Sequence, residues 1–600
     1  MKTLIVAINS KFIHTSLAAW YLKSSCGDGC GEVSIAEYTI NDSLDTVFAD
    51  IYRAKADVVA FSCYIWNISH VHLICENLKK VQPGITIILG GPEVSFDGGK
   101  ILEEHPSIDF ILSGEGEEVF PCLLSHLKSG SKDWDKINGL AFRSGQSVIY
   151  NEGFNLIEDL GRIPSPYTEE VLSGLSNKII YYESSRGCPF FCSYCISSTF
   201  KGVRYFSMDR VRSDLLKLIH QGVKQIKFVD RTFNCNKQRA MEIFDFIIEL
   251  ALQRKAAGED LNTNFHFEAA ADLFDEEVFE VLSKAPRGLI QFEIGIQTTN
   301  LQTLELIHRK TDLKKLFYNV ERLKSLGNIH LHLDLIAGLP AEDYHSFIRS
   351  FNEVYRLKPD QLQLGFLKML KGSSIRVDAE KYGYGYRSYP PYEVFYNDFI
   401  SFDELLELKG IEEVLDRYYN SGRFVQSIGY LIQNMFSSPF DFYKAFFSFF
   451  KTMGYLDSRF SSRQLYSILI DFLNERVGKD KAVPLIKELL KLDYLSSDNS
   501  NNLPDGIERN LAAGFKEMCF EFLKSEENIK KYLPDFCGMP AKQIFKQVHF
   551  EIFRYDVLQE KNSKEQKDRI LLFDYSNRDR VTERYQVHEL TGFNLPSKME

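Results

Sequence analysis

Cysteine is scarce in this chain. Eleven occur in 600 residues, an odd number without regular spacing, which excludes a disulfide framework. No run approaches the roughly 18 or more apolar residues of a membrane span. Positive charge is not in excess either. Lys and Arg number 71 against 82 Asp and Glu, a net charge of −11. A broad basic surface for nucleic acid or anionic membrane is thereby excluded, although a local basic groove is not. The N-terminus, Met1-Lys2-Thr3-Leu4-Ile5-Val6-Ala7-Ile8-Asn9, has a short apolar run and no cleavage-site pattern. It reads as a first β-strand, with a cytoplasmic location as the expectation.

Apolar residues make up 44% and charged residues 26%, the proportions of a globular chain long enough for several cores. Over the first 130 residues, β-branched runs at Leu4–Asn9, Ser34–Tyr38, Asp57–Cys63, Thr86–Gly90 and Asp109–Ser113 alternate with amphipathic stretches such as Leu44–Arg53. That alternation predicts an α/β domain with a parallel sheet. Small and acidic residues gather where the strands end: Asn9, Ser62, Gly90-Gly91-Pro92-Glu93 and Gly114-Glu115-Gly116-Glu117. Ligands of such sheets bind outside the carboxyl ends of the strands. Residues 131–177 read as a linker with a small hairpin. From 178 to 391 six further βα units follow, too few for a closed eight-fold barrel and suited to an open, partial one. Residues 392–600 turn aromatic and mainly helical, with a strand pair near Phe550–Val557 and Ile570–Tyr575.

Three cysteines stand apart from the other eight. Cys188, Cys192 and Cys195 lie in Arg186-Gly187-Cys188-Pro189-Phe190-Phe191-Cys192-Ser193-Tyr194-Cys195, just after a predicted strand. Three thiolates on one loop can bind three irons of a 4Fe–4S cluster and leave the fourth iron open as a reaction site. A structural zinc would need a fourth ligand at finger-like spacing, and none follows.

This Cys-x3-Cys-x2-Cys spacing, with Tyr194 before the third cysteine, resembles the signature of the radical S-adenosylmethionine (SAM) superfamily. The resemblance implies that the open iron chelates the amino and carboxylate groups of SAM and that one electron releases a 5′-deoxyadenosyl radical. It places Tyr194 beside the adenine. It also makes Asp230, Glu268, Glu293, Gln297 and Arg309 candidate cofactor residues. Of these, Glu293-Ile294-Gly295-Ile296-Gln297-Thr298 is similar to a stretch of the cobalamin-associated branch, and Asp334–Pro340 to its Gly-Leu-Pro strand end. A Gly-Gly-Glu after the second strand, common elsewhere in the superfamily, is absent, which leaves the ligand of the SAM amino group open.

Two α/β domains in this order resemble the cobalamin-binding class of radical SAM enzymes. The fold implied is a Rossmann/flavodoxin-like cobalamin-binding domain (1–130), a partial (β/α)6 TIM-like barrel and a mainly α-helical C-terminal domain of unknown role. Within the resemblance, Asn9, Ser62, Gly90, Gly91, Pro92, Gly114, Glu115, Gly116 and Glu117 surround the cobalamin. The Asp-x-His-x-x-Gly motif that supplies a histidine below cobalt is missing, and His14 is expected in the first helix instead. The function implied is methylation of an unactivated carbon. A small molecule is the expected substrate, with RNA or a peptide left open, and the electron donor would be flavodoxin or ferredoxin. Ring closure, rearrangement or sulfur-linked chemistry with the same cofactors is the alternative. A non-catalytic iron–sulfur or cobalamin carrier is the reading from another class.

Overall fold

The computed structural model describes residues 1–593 apart from 146, 176–177, 201, 477–481, 500–501, 511, 559–565 and 592. The first sheet is built from β1 (Lys2–Asn9), β2 (Glu32–Thr39), β3 (Val58–Ser62), β4 (Thr86–Gly90), β5 (Phe110–Leu112), β6 (Leu140–Ser144) and β7 (Ser147–Tyr150). Their order is β2-β1-β3-β4-β5-β6-β7. The pairings are parallel as far as β5 and antiparallel beyond it. Every residue of β3, Val-Val-Ala-Phe-Ser, is buried, as expected of a parallel strand covered by helices on both faces. One core packs Val6, Val59, Leu89 and Ile111 against the helix Ile68–Val81. The other packs Ile5, Ala60, Ile88 and Leu112 against Val119–Ser129. The hairpin expected in the linker is present. It is joined to β5 as the edge of this sheet, because Phe110, Ile111 and Leu112 pair with Phe142, Ala141 and Leu140.

Next come β8 (Ile179–Tyr182), β9 (Ser185–Cys188) and β10 (Gly202–Tyr205), then β11 (Gln225–Phe228), β12 (Asn264–Glu268), β13 (Ile290–Gln297), β14 (His330–Ala337) and β15 (Gln361–Phe366). Six of them, β8 and β11 to β15, form the second sheet, and β8, β11, β12 and β13 run parallel in register. Strict alternation in β13 buries Ile290, Phe292, Ile294 and Ile296 under the helices and turns Gln291, Glu293, Gly295 and Gln297 to the other face. Helix boundaries follow local chemistry. Leu313–Leu326, for example, is capped by the Asp312 carboxylate and ends at Gly327 in the left-handed region.

By packing density the chain forms two units. One holds Met1–Ile329, Ile336–Tyr344 and Gly365–Phe402, and the other holds His330–Leu335, His345–Leu364 and Asp403 onward. Among its described residues the second unit is mainly helical between Asp403 and Ser497, with Phe442, Phe446, Phe450 and Phe472 buried together. It ends in an antiparallel sheet of three strands, Val548–Tyr555, Gln566–Arg578 and Tyr585–Glu589. The last of these is not evident in the sequence. Among the described residues no helix is long and apolar enough to cross a membrane.

Candidate functional site

At the carboxyl ends of β1, β3, β4 and β5 lies a cavity of about 240 Å³. Ser62, Gly90, Gly91, Pro92, Gly114, Glu115, Gly116 and Glu117 all line it, together with Ile5, Leu22, Tyr64, Phe120 and Arg186. Gly91 has φ +111°, and a Cβ there would stand 2.5 Å from the Cys63 carbonyl oxygen. Gly114 has φ +93°, and its Cβ would meet the Asn155 carbonyl at 2.5 Å. Both turns therefore require glycine. The lining is mainly apolar and backbone, which fits one end of a large flat ligand held by contact rather than by charge. Asn9 stands outside the lining. Its amide spans the His14 carbonyl (3.3 Å) and Glu37 (3.2 Å). His14 precedes the helix Leu17–Ser25, and its Nδ1 is 2.6 Å from the Tyr181 hydroxyl.

The two glutamates of the cavity rim have partners of their own. Glu115 accepts two bonds from Arg204, at 2.6 and 2.8 Å, and one from the Ile157 amide at 2.7 Å. Burial raises its pKa, but these bonds and Arg186 outweigh burial and hold it below the usual value. Glu117 pairs with Arg186. A second link lies on the Gly-Gly-Pro-Glu loop, where Glu93 accepts from the Tyr392 hydroxyl and Lys371 reaches Asp97 at 2.9 Å.

Cys188 ends β9, which pairs with β10 as a hairpin. The loop beyond it is anchored by its backbone: Ser193 donates to the Ile307 carbonyl and its own carbonyl accepts from Ile375, both at 2.9 Å. Arg309 gathers the site. Its guanidinium donates to Cys192 Sγ at 3.8 Å, to the Tyr194 hydroxyl at 3.2 Å and to the Gly295 carbonyl. Burial pushes the Cys192 thiol up, against the pull of Arg309, and burial likewise raises Tyr194. Thr232 Oγ1 stands 3.5 Å from Cys188 Sγ. All three thiols are free. Among the described residues no three His, Cys, Asp or Glu side chains are already converged on a metal position. The donor chemistry nevertheless fits the cluster: three thiols on one loop of ten residues or fewer, with a buried arginine beside one of them.

The other expected residues divide. Asp230 is buried and accepts from the Ser184 amide (3.0 Å), the Ser184 hydroxyl (2.7 Å) and the Ser185 hydroxyl. It therefore secures the turn between β8 and β9, where the sequence suggested a ligand residue. Burial still raises its pKa. Glu293 lies 2.9 Å from both Lys227 and His266, and Glu268 stands opposite it in register. Gln297 has φ +72°, and its Oε1 is buried without a hydrogen-bond partner, so it is poised to receive a donor. The sequence reading missed Arg186, Arg204 and Thr232 as site residues. Arg186 was on view two places before the first cysteine, but nothing local marks its partner.

The chain matches three families: the B12 binding domain over residues 3–124, the radical SAM superfamily over 182–354, and a protein family of unknown function, DUF4080, over 380–573. It is 27% identical to the cobalamin-dependent radical SAM methyltransferase TokK of Streptomyces tokunonensis over 350 residues, 56% of this chain and 50% of TokK. Identity to the anaerobic magnesium-protoporphyrin IX monomethyl ester cyclase of Rubrivivax gelatinosus is 26% over 353 residues, 57% of this chain and 61% of that enzyme. The chain thus spans only about half to three-fifths of the length of these relatives. In fold it is similar to the cobalamin-dependent SAM radical enzyme OxsB, with a TM-score of 0.54 at 15% identity, covering 82% of this chain and 79% of OxsB. The domains imply cobalamin, SAM and a 4Fe–4S cluster as cofactors. With its glycine-lined cavity at the end of one sheet and its cysteine loop at the end of the other, the chain joins a match to the B12 binding domain, a match to the radical SAM superfamily and a C-terminal match to DUF4080.

Proposed function

We propose that the chain is a cobalamin-dependent radical SAM enzyme that methylates an unactivated carbon of a substrate, a small molecule in the first instance. One observation carries the reading: Arg186 lines the cavity and lies two residues before Cys188. The corrinoid cradle and the cluster loop therefore share a strand. When bound, the cluster would supply the electron that cleaves SAM, and the cobalamin would carry the methyl group.

The chain's own residues hold and order these groups. Cys188, Cys192 and Cys195 are the cluster ligands. Arg309 donates toward the Cys192 sulfur, and such a bond favours the thiolate. Tyr194 and the Glu293–Gln297 face of β13 border the place for SAM, with Gln297 Oε1 offered to a donor of that molecule. Ser62, Gly90, Gly91, Pro92, Gly114 and Gly116 bring backbone close to the corrinoid, where a side chain would keep it away. Holding the reactants in line and dry is the protein's contribution. The electron donor is a flavodoxin or ferredoxin.

The test is anaerobic reconstitution with iron, sulfide, cobalamin, SAM and a strong reductant, followed by mass-spectrometric measurement of 5′-deoxyadenosine and S-adenosylhomocysteine. Both products, dependent on cobalamin, are expected. Deoxyadenosine alone, with cobalamin confirmed in place, would instead support ring closure without methyl transfer, the reaction type named in the cyclase relative. Absence of both, with cluster and cobalamin loaded, would return the carrier reading.

A further inference from the structure

Arg186 and Arg204 are a cross-strand pair of the β9–β10 hairpin, and at its far end Gly202 pairs with Cys188. Both guanidinium groups leave the hairpin on the side of the Gly114–Glu117 loop. Arg204 takes Glu115 through two bonds and also donates to the Ile157 carbonyl at 2.6 Å. Arg186 pairs with Glu117, lies 3.6 Å from Glu115 and donates to Glu183 at 3.0 Å. Its guanidinium sits 5.4 Å from the Tyr21 ring centroid, and Tyr21 stacks on Phe206. The Arg186 and Glu117 side chains are only 10% and 8% exposed.

A carboxylate that binds a ligand keeps an oxygen for it. Here both oxygens of Glu115 are taken by protein groups, and Glu117 is committed to Arg186. A buried ion pair is weak evidence for stability, because desolvation offsets attraction, but it specifies geometry, since losing one partner strands the other. Bidentate arginine–carboxylate contacts are the directional form of such a pair. The network joins the rim of the cavity to the strand that ends in Cys188.

We propose that Arg186 and Arg204, with Glu117 and Glu115, are positioning residues that fix the cluster loop relative to the corrinoid cradle, and that Glu115 is not a cofactor ligand. The inference rests on the proposed function, because it assumes that the cavity holds a corrinoid and the loop a cluster.

The experiment is pulsed dipolar EPR on the full chain loaded with reduced cluster and cob(II)alamin, which reads the distance distribution between the two spins without turnover. Glu115→Gln, Arg204→Lys and the reciprocal pair Glu115→Arg with Arg204→Glu are compared with the parent. The single variants are expected to bind cobalamin within about threefold of the parent and to keep the cluster's own EPR spectrum. Their distance distribution should at least double in width, and the reciprocal pair should narrow it again. Arg204→Lys keeps the charge and loses only the fork, so it reports even if Glu115→Gln folds poorly. An unchanged distribution in both single variants would overturn the proposal. So would a tenfold or greater loss of cobalamin affinity in Glu115→Gln, which would make that glutamate a ligand. If the parent chain takes up no corrinoid, the functional reading falls first and this inference with it.

Discussion

At the carboxyl end of the first sheet the glycines face a cavity, and the acidic side chains between them, also in its lining, are held in ion pairs. At the carboxyl end of the second sheet the working groups are side chains: Cys192 and Tyr194 around Arg309, and Gln297 held in a left-handed conformation. One site is made by leaving side chains out, the other by putting them in. The first should tolerate loss of a functional group and fail when a Cβ is added, and the second should do the reverse.

The sharpest way to break that contrast is to replace Cys188, Cys192 and Cys195 together by Ala. Iron and sulfide content should fall to background while cobalamin uptake, followed by absorbance after gel filtration, stays near the parent value. Loss of cobalamin as well would show that the two sites are not separable. Gly91→Val comes next. Its Cβ would stand 2.5 Å from a carbonyl oxygen at φ +111°, a backbone conformation costing roughly 1–3 kcal/mol for a non-glycine residue even without the clash. Cobalamin affinity should drop at least tenfold with iron content unchanged. Arg309→Lys keeps the charge but not the geometry that reaches Cys192, Tyr194 and Gly295 together. The cluster should assemble, shift its EPR signature and be lost about twice as fast to a chelator.

The smallest effect is expected at Glu183, behind the clamp. Burial, against the pull of Arg186, lifts its pKa from 4.5 to about 7. A carboxyl raised in the folded state stabilises the fold below about pH 4.5, and that contribution is lost as pH rises through about 7. Glu183→Gln should therefore flatten the dependence of melting temperature on pH across that window, by about 2–4 °C. A mutant curve parallel to the parent's would place the titration elsewhere.

Much of the architecture was legible because it is written in local period. Thr86–Gly90 and Leu44–Arg53 occupy the spans that their hydrophobic patterns indicate, and the cysteine loop announces its donors by spacing alone. The partners of the carboxylates were not legible. Glu115 and Arg204 are 89 residues apart, and a glutamate between glycines looks the same whether it meets a ligand or an arginine. The partners of Asp230 were hidden for the same reason, since the serines that donate to it are some 45 residues earlier. The β6–β7 hairpin was visible as a local turn, but its attachment to β5 depends on which sheet edge lies open, and no short window contains that. The helix Gly98–Glu104 escaped notice because it begins with two glycines, which weigh against helix in isolation.

The antiparallel edge also bears on how such a chain can lengthen. Because β6 and β7 fold back beside β5, no parallel edge is offered there to another βα unit. Hairpins need only short turns, whereas parallel crossovers need a dozen residues or more, so growth at this border would come as further hairpins. The outermost strand, β7, is only four residues long and mostly exposed, and so short a strand is a poor template for recruiting a foreign chain. Variation is left to the opposite border at β2 and to the loops at the strand ends, where an insertion changes what the protein can hold rather than what keeps it folded.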